Sequence, residues 1–140
     1  VTDKTRLLII NSPHNPTGSV LEPEDLAAIA EVCAERGIAV LADEIYSRIL
    51  YDGQHRSIWT YPGMDQLTVI LDGMSKTYAM TGWRIGYAAG PADLIAAMET
   101  LQSQSTSNAS SVSQAAALAS DGASVTRPVP KPVFISSSRA

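Results

Sequence analysis

Short, uninterrupted apolar runs alternate with an amphipathic segment over the first half of the chain. Two such runs cover residues 7–10 and 38–41, and both have the length and character of buried strands, the first of them buried on both faces. Residues 67–71, apolar except for Thr68, are predicted to form a third strand. Between the first two runs, apolar residues recur at helical spacing over residues 26–33, and Pro23 suits the first turn of that helix. A strand, a helix and a strand in this order predict a crossover unit of a parallel sheet.

The second half of the chain continues this alternation and then loses it. Residues 84–89 are predicted to form a fourth strand, and Pro91 precedes a helix with apolar residues on one face, namely Leu94, Ile95, Met98 and Leu101. Residues 103–113 are rich in serine, threonine and glutamine, which predicts a linker. Residues 121–140 contain alternating prolines and are predicted to be a disordered tail that follows one α/β domain in residues 1–120.

Composition and charge exclude several classes of function. The net charge is -4 and no basic stripe is present, so nucleic acid and anionic membranes are not expected as partners. No apolar run approaches the roughly 20 residues that a membrane-spanning helix needs. The single cysteine, Cys33, cannot form an internal disulfide, which favours a reducing compartment and a cytoplasmic location.

Polar residues follow three of the predicted strands. Asn15 comes after the first strand, Asp43 after the second, and Ser75 and Lys76 after the third. Ligands of open parallel sheets bind at the carboxyl ends of the strands, where the loops converge. The sequence therefore predicts one shared site for these residues, although they are far apart along the chain.

Four motifs in order carry a resemblance to a known family. They are Asn-Pro-Thr-Gly at residues 15–18, Asp-Glu-Ile-Tyr at 43–46, Ser-Lys-Thr at 75–77 and Gly-Trp-Arg-Ile-Gly at 82–86. In this order and at these separations, the chain resembles the large domain of class I/II aminotransferases, which are fold-type I pyridoxal-phosphate enzymes of the aspartate-aminotransferase type. The resemblance implies part of a three-layer α/β sandwich with a mostly parallel sheet.

The resemblance also implies a role for each residue of the predicted site. Lys76 resembles the lysine that forms a Schiff base with pyridoxal 5'-phosphate and later moves a proton, and Asp43 resembles the carboxylate that pairs with the pyridine nitrogen. Asn15 and Tyr46 resemble the hydrogen-bond donors to the ring oxygen of the cofactor. Ser75 and Arg84 resemble phosphate ligands, a task that suits the planar guanidinium of arginine.

The implied reaction is transfer of an amino group from an amino acid to a 2-oxo acid, and the implied full-length enzyme is a homodimer. The chain starts in apparent core at Val1, and the family's substrate-binding arginine would lie in a C-terminal segment that this sequence does not contain. We therefore expect a fragment with little or no transaminase activity of its own.

Other functions are compatible with the same motifs. A lyase or a synthase of this fold would use the same cofactor site, a non-enzymatic remnant would retain the motifs without activity, and some transcription regulators carry a domain of this type. Glu44 could be purely structural. His14 and His55 lack the spacing of metal ligands, so no metal site is predicted.

Overall fold

A computed structural model describes residues 1–120 and the backbone of residues 121 and 133–136. The described residues form a five-stranded sheet in chain order, made of Leu7–Asn11 (β1), Ala39–Asp43 (β2), Thr68–Gly73 (β3), Ile85–Ala89 (β4) and Val133–Ser136 (β5). β2 is parallel to both β1 and β3, and β4 is antiparallel to both β3 and β5. All strands except β4 therefore run in the same direction, and the predicted α/β fold with a mostly parallel sheet is confirmed.

The helices of the described residues are Pro23–Arg36 (α1), Met74–Thr77 (α2), Ala92–Ser105 (α3) and Ser111–Asp121 (α4). Short 3₁₀ turns cover Ile58–Thr60, Met64–Gln66 and Thr81–Trp83. Within this part of the chain, no helix combines the length and the apolar character that crossing a membrane would require.

The ends of α1 follow local sequence signals. Pro23 occupies the first turn, where its missing N–H costs no hydrogen bond, and Glu24 and Asp25 lie beside the positive end of the helix. Gly37 ends the helix in the left-handed conformation with a φ of 61°, and its N–H donates to the carbonyl of Cys33. α1 thus begins and ends where the sequence predicts.

Helices cover both faces of the sheet. On one face, Leu26 and Cys33 of α1 pack in a buried cluster with Val40 and Ala42 of β2. Leu41 alternates with these two strand residues and therefore lies on the opposite face. That face carries a second buried cluster, formed by α3, β3 and β4 and made of Val69, Ala88 and Ile95, against which Leu41 packs. A helix layer, the sheet and a second helix layer make the predicted three-layer arrangement.

β1 differs from the expectation that it is buried on both faces. Leu7 and Ile9 are 52% and 65% exposed, whereas Ile10 is buried against α1. The cluster beneath α3 is centred on β3 and β4, and β1 lies at the edge of the described sheet. An apolar run predicts a strand, but it does not predict which face of that strand is covered by other elements.

Six of the eleven residues 103–113 are helical, so the predicted linker is confined to residues 106–110. α3 extends to Ser105 and α4 begins at Ser111. Serine hydroxyls find partners here, since Ser105 Oγ donates to the carbonyl of Leu101 and the buried Ser113 donates to the carbonyl of Trp83 at 2.8 Å. Serine composition indicates a linker only where such partners are missing.

The predicted disorder of residues 121–140 fails at Val133–Ser136, which form the strand β5. Ile85 of β4 pairs with Ser136 in antiparallel register. Valine, phenylalanine and isoleucine favour strands, and β4 offers an edge to pair with. The predicted tail from 122 to 132 and from 137 to 140 lies outside the described residues, and the domain limit near residue 120 stays a prediction.

Truncating the α1 core should cost far more stability than the same change on a solvent-facing helix position. Leu26 is 3% exposed and Leu101 is 71% exposed, and both lie in helices. We expect Leu26→Ala to lower the free energy of unfolding by about 2–5 kcal/mol, because it leaves a cavity. Leu101→Ala should change it by less than about 0.5 kcal/mol. Urea denaturation followed by circular dichroism compares the two, and equal losses would contradict the assignment of this core.

Candidate functional site

The carboxyl ends of β1, β2 and β3 lie side by side. Asn11 at the end of β1 is the register partner of Asp43, and Asp43 is the register partner of Leu71. The loops that leave these ends therefore start at the same edge of the sheet. This arrangement brings the three predicted polar clusters to one region, because Asn15 follows β1, Asp43 ends β2 and Lys76 lies in α2 directly after β3.

Asn15 and Tyr46 are in direct contact, although 31 residues separate them. The side-chain amide of Asn15 donates to the Tyr46 hydroxyl at 3.1 Å. The backbone N–H of Asn15 donates to Asn11 Oδ1 at 3.0 Å, which fixes the start of its loop to the end of β1. The loop then closes on itself, since the N–H of Gly18 donates to the carbonyl of His14 at 2.7 Å. Gly18 has a φ of 74°, a conformation that favours glycine.

Lys76 joins this pair through the ring of Tyr46. Its Nζ lies 5.7 Å from the ring centroid, within the range of a cation–π contact. The Lys76 side chain is exposed, so its amine is accessible to a ligand. Three residues of the predicted site, Asn15, Tyr46 and Lys76, thus form a continuous chain of contacts.

Asp43 lies half-buried at the last position of β2. Its Oδ1 accepts a hydrogen bond from the N–H of Ile45 at 3.3 Å, which shapes the turn out of the strand. Its carbonyl accepts from the Asn11 side chain and from the N–H of Ser12, both at 3.4 Å. These contacts fix the position of Asp43 between the loops after β1 and β2.

Ser75 and Arg84 lie on either side of Lys76 in the sequence. Ser75 lies in α2, is half-buried and lines a cavity of about 230 Å³ together with Asp72 and Gly86. Arg84 has a φ of 50°, and its guanidinium donates to the carbonyl of Thr81 at 3.0 Å. The contacts described above join Asn15, Tyr46 and Lys76 to one another, and they do not include Ser75 or Arg84.

A close approach of two glycines sets the path of the chain into α2. A Cβ built on Gly73 would lie 2.9 Å from the Cα of Gly86 and 3.1 Å from the carbonyl oxygen of Ile85. Both neighbours are backbone atoms of β4, so they cannot turn away as a side chain would. Glycine at position 73 therefore lets β3 and β4 approach closely just before Lys76.

Gly73→Ala should disturb this turn, and Gly82→Ala is its control. A Cβ on Gly82 would meet no atom within 4 Å. We expect Gly73→Ala to lower the free energy of unfolding by about 1–3 kcal/mol because the strands must separate, and Gly82→Ala by less than about 1 kcal/mol. Thermal unfolding of the two variants measures the difference. A Gly73→Ala variant as stable as the Gly82→Ala variant would show that the approach is not needed.

Asp72 is a residue of this region that sequence reasoning missed. Its Oδ1 accepts from the N–H of Gly73 at 2.6 Å, and its Oδ2 accepts from the Tyr87 hydroxyl at 3.1 Å. Burial raises the pKa of Asp72, and these two hydrogen bonds oppose that rise. Asn11 was missed as well. For both Asp72 and Asn11, the sequence signal that could have identified them is a polar residue at the end of an apolar run.

A cavity of about 390 Å³ opens beside the Asn15–Tyr46 pair. Both side chains line it, and Val20, Ile49 and Leu50 contribute apolar surface. A volume of this size is typical of small-molecule sites. The cavity therefore offers space for a ligand next to Tyr46, whose ring contacts Lys76.

The model of the family "Aminotransferase class I and II" matches residues 1–127 of the sequence. The chain belongs to this aminotransferase family. The match includes all four motifs, so Asn15, Asp43, Lys76 and Arg84 lie in a segment of family character.

Named relatives of this aminotransferase chain agree with the family. The aspartate aminotransferase of Geobacillus stearothermophilus is 50% identical over 121 residues, which are 85% of this chain and 31% of that protein. The aspartate/prephenate aminotransferase of Thermus thermophilus is 43% identical over 120 residues, which are 84% of this chain and 30% of that protein. The chain thus spans less than a third of the length of these relatives.

Solved structures agree with the fold. The aromatic aminotransferase of Pyrococcus horikoshii superposes with a TM-score of 0.81 at 46% identity, over 84% of this chain and 32% of that one. N-succinyldiaminopimelate aminotransferase of Mycobacterium tuberculosis gives a TM-score of 0.80 at 41% identity, over 89% of this chain and 33% of that one. These values identify the fold as that of part of an aminotransferase.

Proposed function

We propose that this chain is the cofactor-binding part of a pyridoxal-phosphate-dependent aminotransferase that moves an amino group between an amino acid and a 2-oxo acid. The observation that carries the proposal is the contact chain from Lys76 through Tyr46 to Asn15 at the carboxyl edge of the sheet. Membership of the aminotransferase family supports the reaction class.

The chemistry of the residues fits this cofactor. An accessible amine on Lys76 suits the aldehyde, and the Asp43 carboxylate suits a protonated ring nitrogen. The Tyr46 hydroxyl and the Asn15 amide suit the ring oxygen. Ser75 and Arg84 flank Lys76 in the sequence and supply a hydroxyl and a guanidinium for the phosphate. When bound, the cofactor supplies an electron sink for the negative charge that develops at the substrate Cα.

The residues of the chain have separate tasks in this proposal. Lys76 would hold the cofactor through its amine, and its Nζ is the group that would move a proton to or from the substrate Cα. Asp43 keeps the proton on the ring nitrogen, because its negative charge stabilises the positive one. Tyr46 and Asn15 orient the ring through its oxygen, and their mutual hydrogen bond fixes them before any ligand arrives.

The substrate class is an amino acid with a 2-oxo acid, and the individual pair is open. Relatives are named for aspartate, for prephenate and for aromatic substrates, so similarity does not select one of them. We further propose a homodimer for the full-length protein, as the family resemblance implies, and a cytoplasmic location, which the single cysteine favours.

Titration of the folded chain with pyridoxal phosphate tests the proposal. We expect a saturable, protein-dependent visible absorption band from cofactor binding, with little or no turnover of amino acid and 2-oxo acid by this chain alone. Pyridoxal without phosphate is the matched control and should bind more weakly, because Ser75 and Arg84 lose their ligand. A chain that is folded by circular dichroism and takes up no cofactor would contradict the proposal. Release of ammonia from the amino acid would instead identify a lyase.

A further inference from the structure

Glu44 stands between Asp43 and Tyr46 in the sequence but takes part in a different set of contacts. It is a buried charged residue, 9% exposed. It lines a small space at the α1 side of the sheet together with Ile10, Leu26, Ala42 and Ile58. Its carboxylate is thus placed in the core, next to the segment that carries Tyr46.

Both carboxylate oxygens of Glu44 contact residues of one short segment. Ser57 Oγ donates to Oε1 at 2.6 Å. His55 Nε2 lies 3.0 Å from Oε2, a close contact that does not have the geometry of a hydrogen bond. Ser57 also begins the 3₁₀ turn Ile58–Thr60, where its Oγ accepts from the N–H of Trp59. Ile58 is 1% exposed within the α1 core. Glu44 therefore fixes the chain after β2 to a well-packed element.

The residues that follow Glu44 approach the end of β3 and the turn that carries Lys76. The Ile45 side chain reaches within 3.4 Å of the position that a Cβ on Gly73 would occupy. The Tyr46 ring lies 5.7 Å from Lys76 Nζ. The Arg48 guanidinium donates to the Tyr78 hydroxyl at 3.3 Å. Residues 45–48 thus form one side of the environment of Lys76.

We propose that Glu44 is a positioning residue for Lys76, acting through residues 45–48, which its hydrogen bond from Ser57 and its close contact with His55 hold beside α2. The inference rests on the proposed function only in taking Lys76 as the reactive amine. A buried carboxylate is costly without a hydrogen-bond partner, and here the Ser57 hydroxyl is such a partner and ties the two segments together. Glutamine at this position keeps the size of the side chain but loses the negative charge that lies beside Ser57 and His55.

Local opening of residues 45–48 is the first readout. The N–H of Ser47 donates to the carbonyl of Glu44 at 2.8 Å, and that of Ile49 donates to Tyr46 at 2.9 Å. In Glu44→Gln, hydrogen exchange at these two amides should become about 10-fold to 100-fold faster. Exchange at Val40, whose N–H donates to the carbonyl of Leu67 within the sheet, should change much less. Glu31→Gln, the same change at an exposed position of α1, is the control.

The environment of Lys76 is the second readout, and it needs no cofactor. Reductive methylation with ¹³C-formaldehyde gives a methyl NMR signal for each lysine. The Lys76 signal should be displaced from that of exposed Lys4 by the Tyr46 ring, and Tyr46→Leu should remove the displacement. We expect Glu44→Gln to move the Lys76 signal towards that of Lys4, and Ser57→Ala to move it in the same direction by less. Glu31→Gln should leave it in place.

The outcomes separate the two proposals. If Ser47, Ile49 and Val40 all exchange faster by the same factor, Glu44 acts on global stability and the positioning role is refuted. An unchanged Lys76 signal in both Glu44→Gln and Ser57→Ala refutes it as well. Failure of the wild-type chain to take up pyridoxal phosphate would count against the proposed function, while exchange and methyl signals would still decide the role of Glu44.

Discussion

Lys76→Ala is expected to lose all amine-dependent binding of pyridoxal phosphate, whereas Lys4→Ala is expected to keep it. Alanine has no amine, and the contact of Lys76 Nζ with the Tyr46 ring disappears with the side chain. Both lysines are exposed, so neither change should unfold the chain. The visible absorption band of the protein–cofactor complex, recorded after gel filtration, measures the effect.

Circular dichroism of both variants controls for folding. A Lys76→Ala variant that keeps the visible band after gel filtration would contradict the role of Lys76. Loss of the band in Lys4→Ala alone would place the reactive amine outside the site at the carboxyl edge of the sheet.

Asp43→Asn is expected to weaken the binding of pyridoxal phosphate by about 10-fold to 100-fold, the usual worth of a hydrogen bond to a charged group. Asparagine has nearly the same shape and can still accept the hydrogen bond from the N–H of Ile45. What it lacks is the negative charge that stabilises a protonated ring nitrogen. The comparison therefore isolates charge from shape, and an absorption titration gives the two dissociation constants.

Asp65→Asn is the matched control for this change, because Asp65 is exposed in the turn Met64–Gln66. It should leave the dissociation constant unchanged. Equal affinities of Asp43→Asn and the wild-type chain would show that the Asp43 carboxylate does not contact the cofactor.

The elements with local signals were predictable from the sequence. Pro23 and Gly37 mark the two ends of α1, because proline fits a first helical turn and glycine fits a left-handed cap. The apolar runs predict β1, β2 and β3, because strands that helices cover are rich in apolar residues. The shared site then follows from topology, because the ends of neighbouring parallel strands share one edge.

Features that depend on distant partners were not predictable. The exposure of Leu7 and Ile9 depends on which strands α3 covers, and the apolar run does not predict that exposure. The pairing of β5 with β4 joins residues about 50 positions apart in the chain. The burial of the Glu44 carboxylate was not predictable either, because it depends on the contacts with Ser57 and His55.

Identification of the modified lysine tests the central claim most directly. The chain is incubated with pyridoxal phosphate, reduced with borohydride, digested and mapped by mass spectrometry. The sequence offers three lysines, Lys4, Lys76 and Lys131, and a reactive amine held beside Tyr46 predicts modification at Lys76 at stoichiometric cofactor. Modification spread equally over all three lysines, or confined to Lys4 or Lys131, would contradict the assignment of this site.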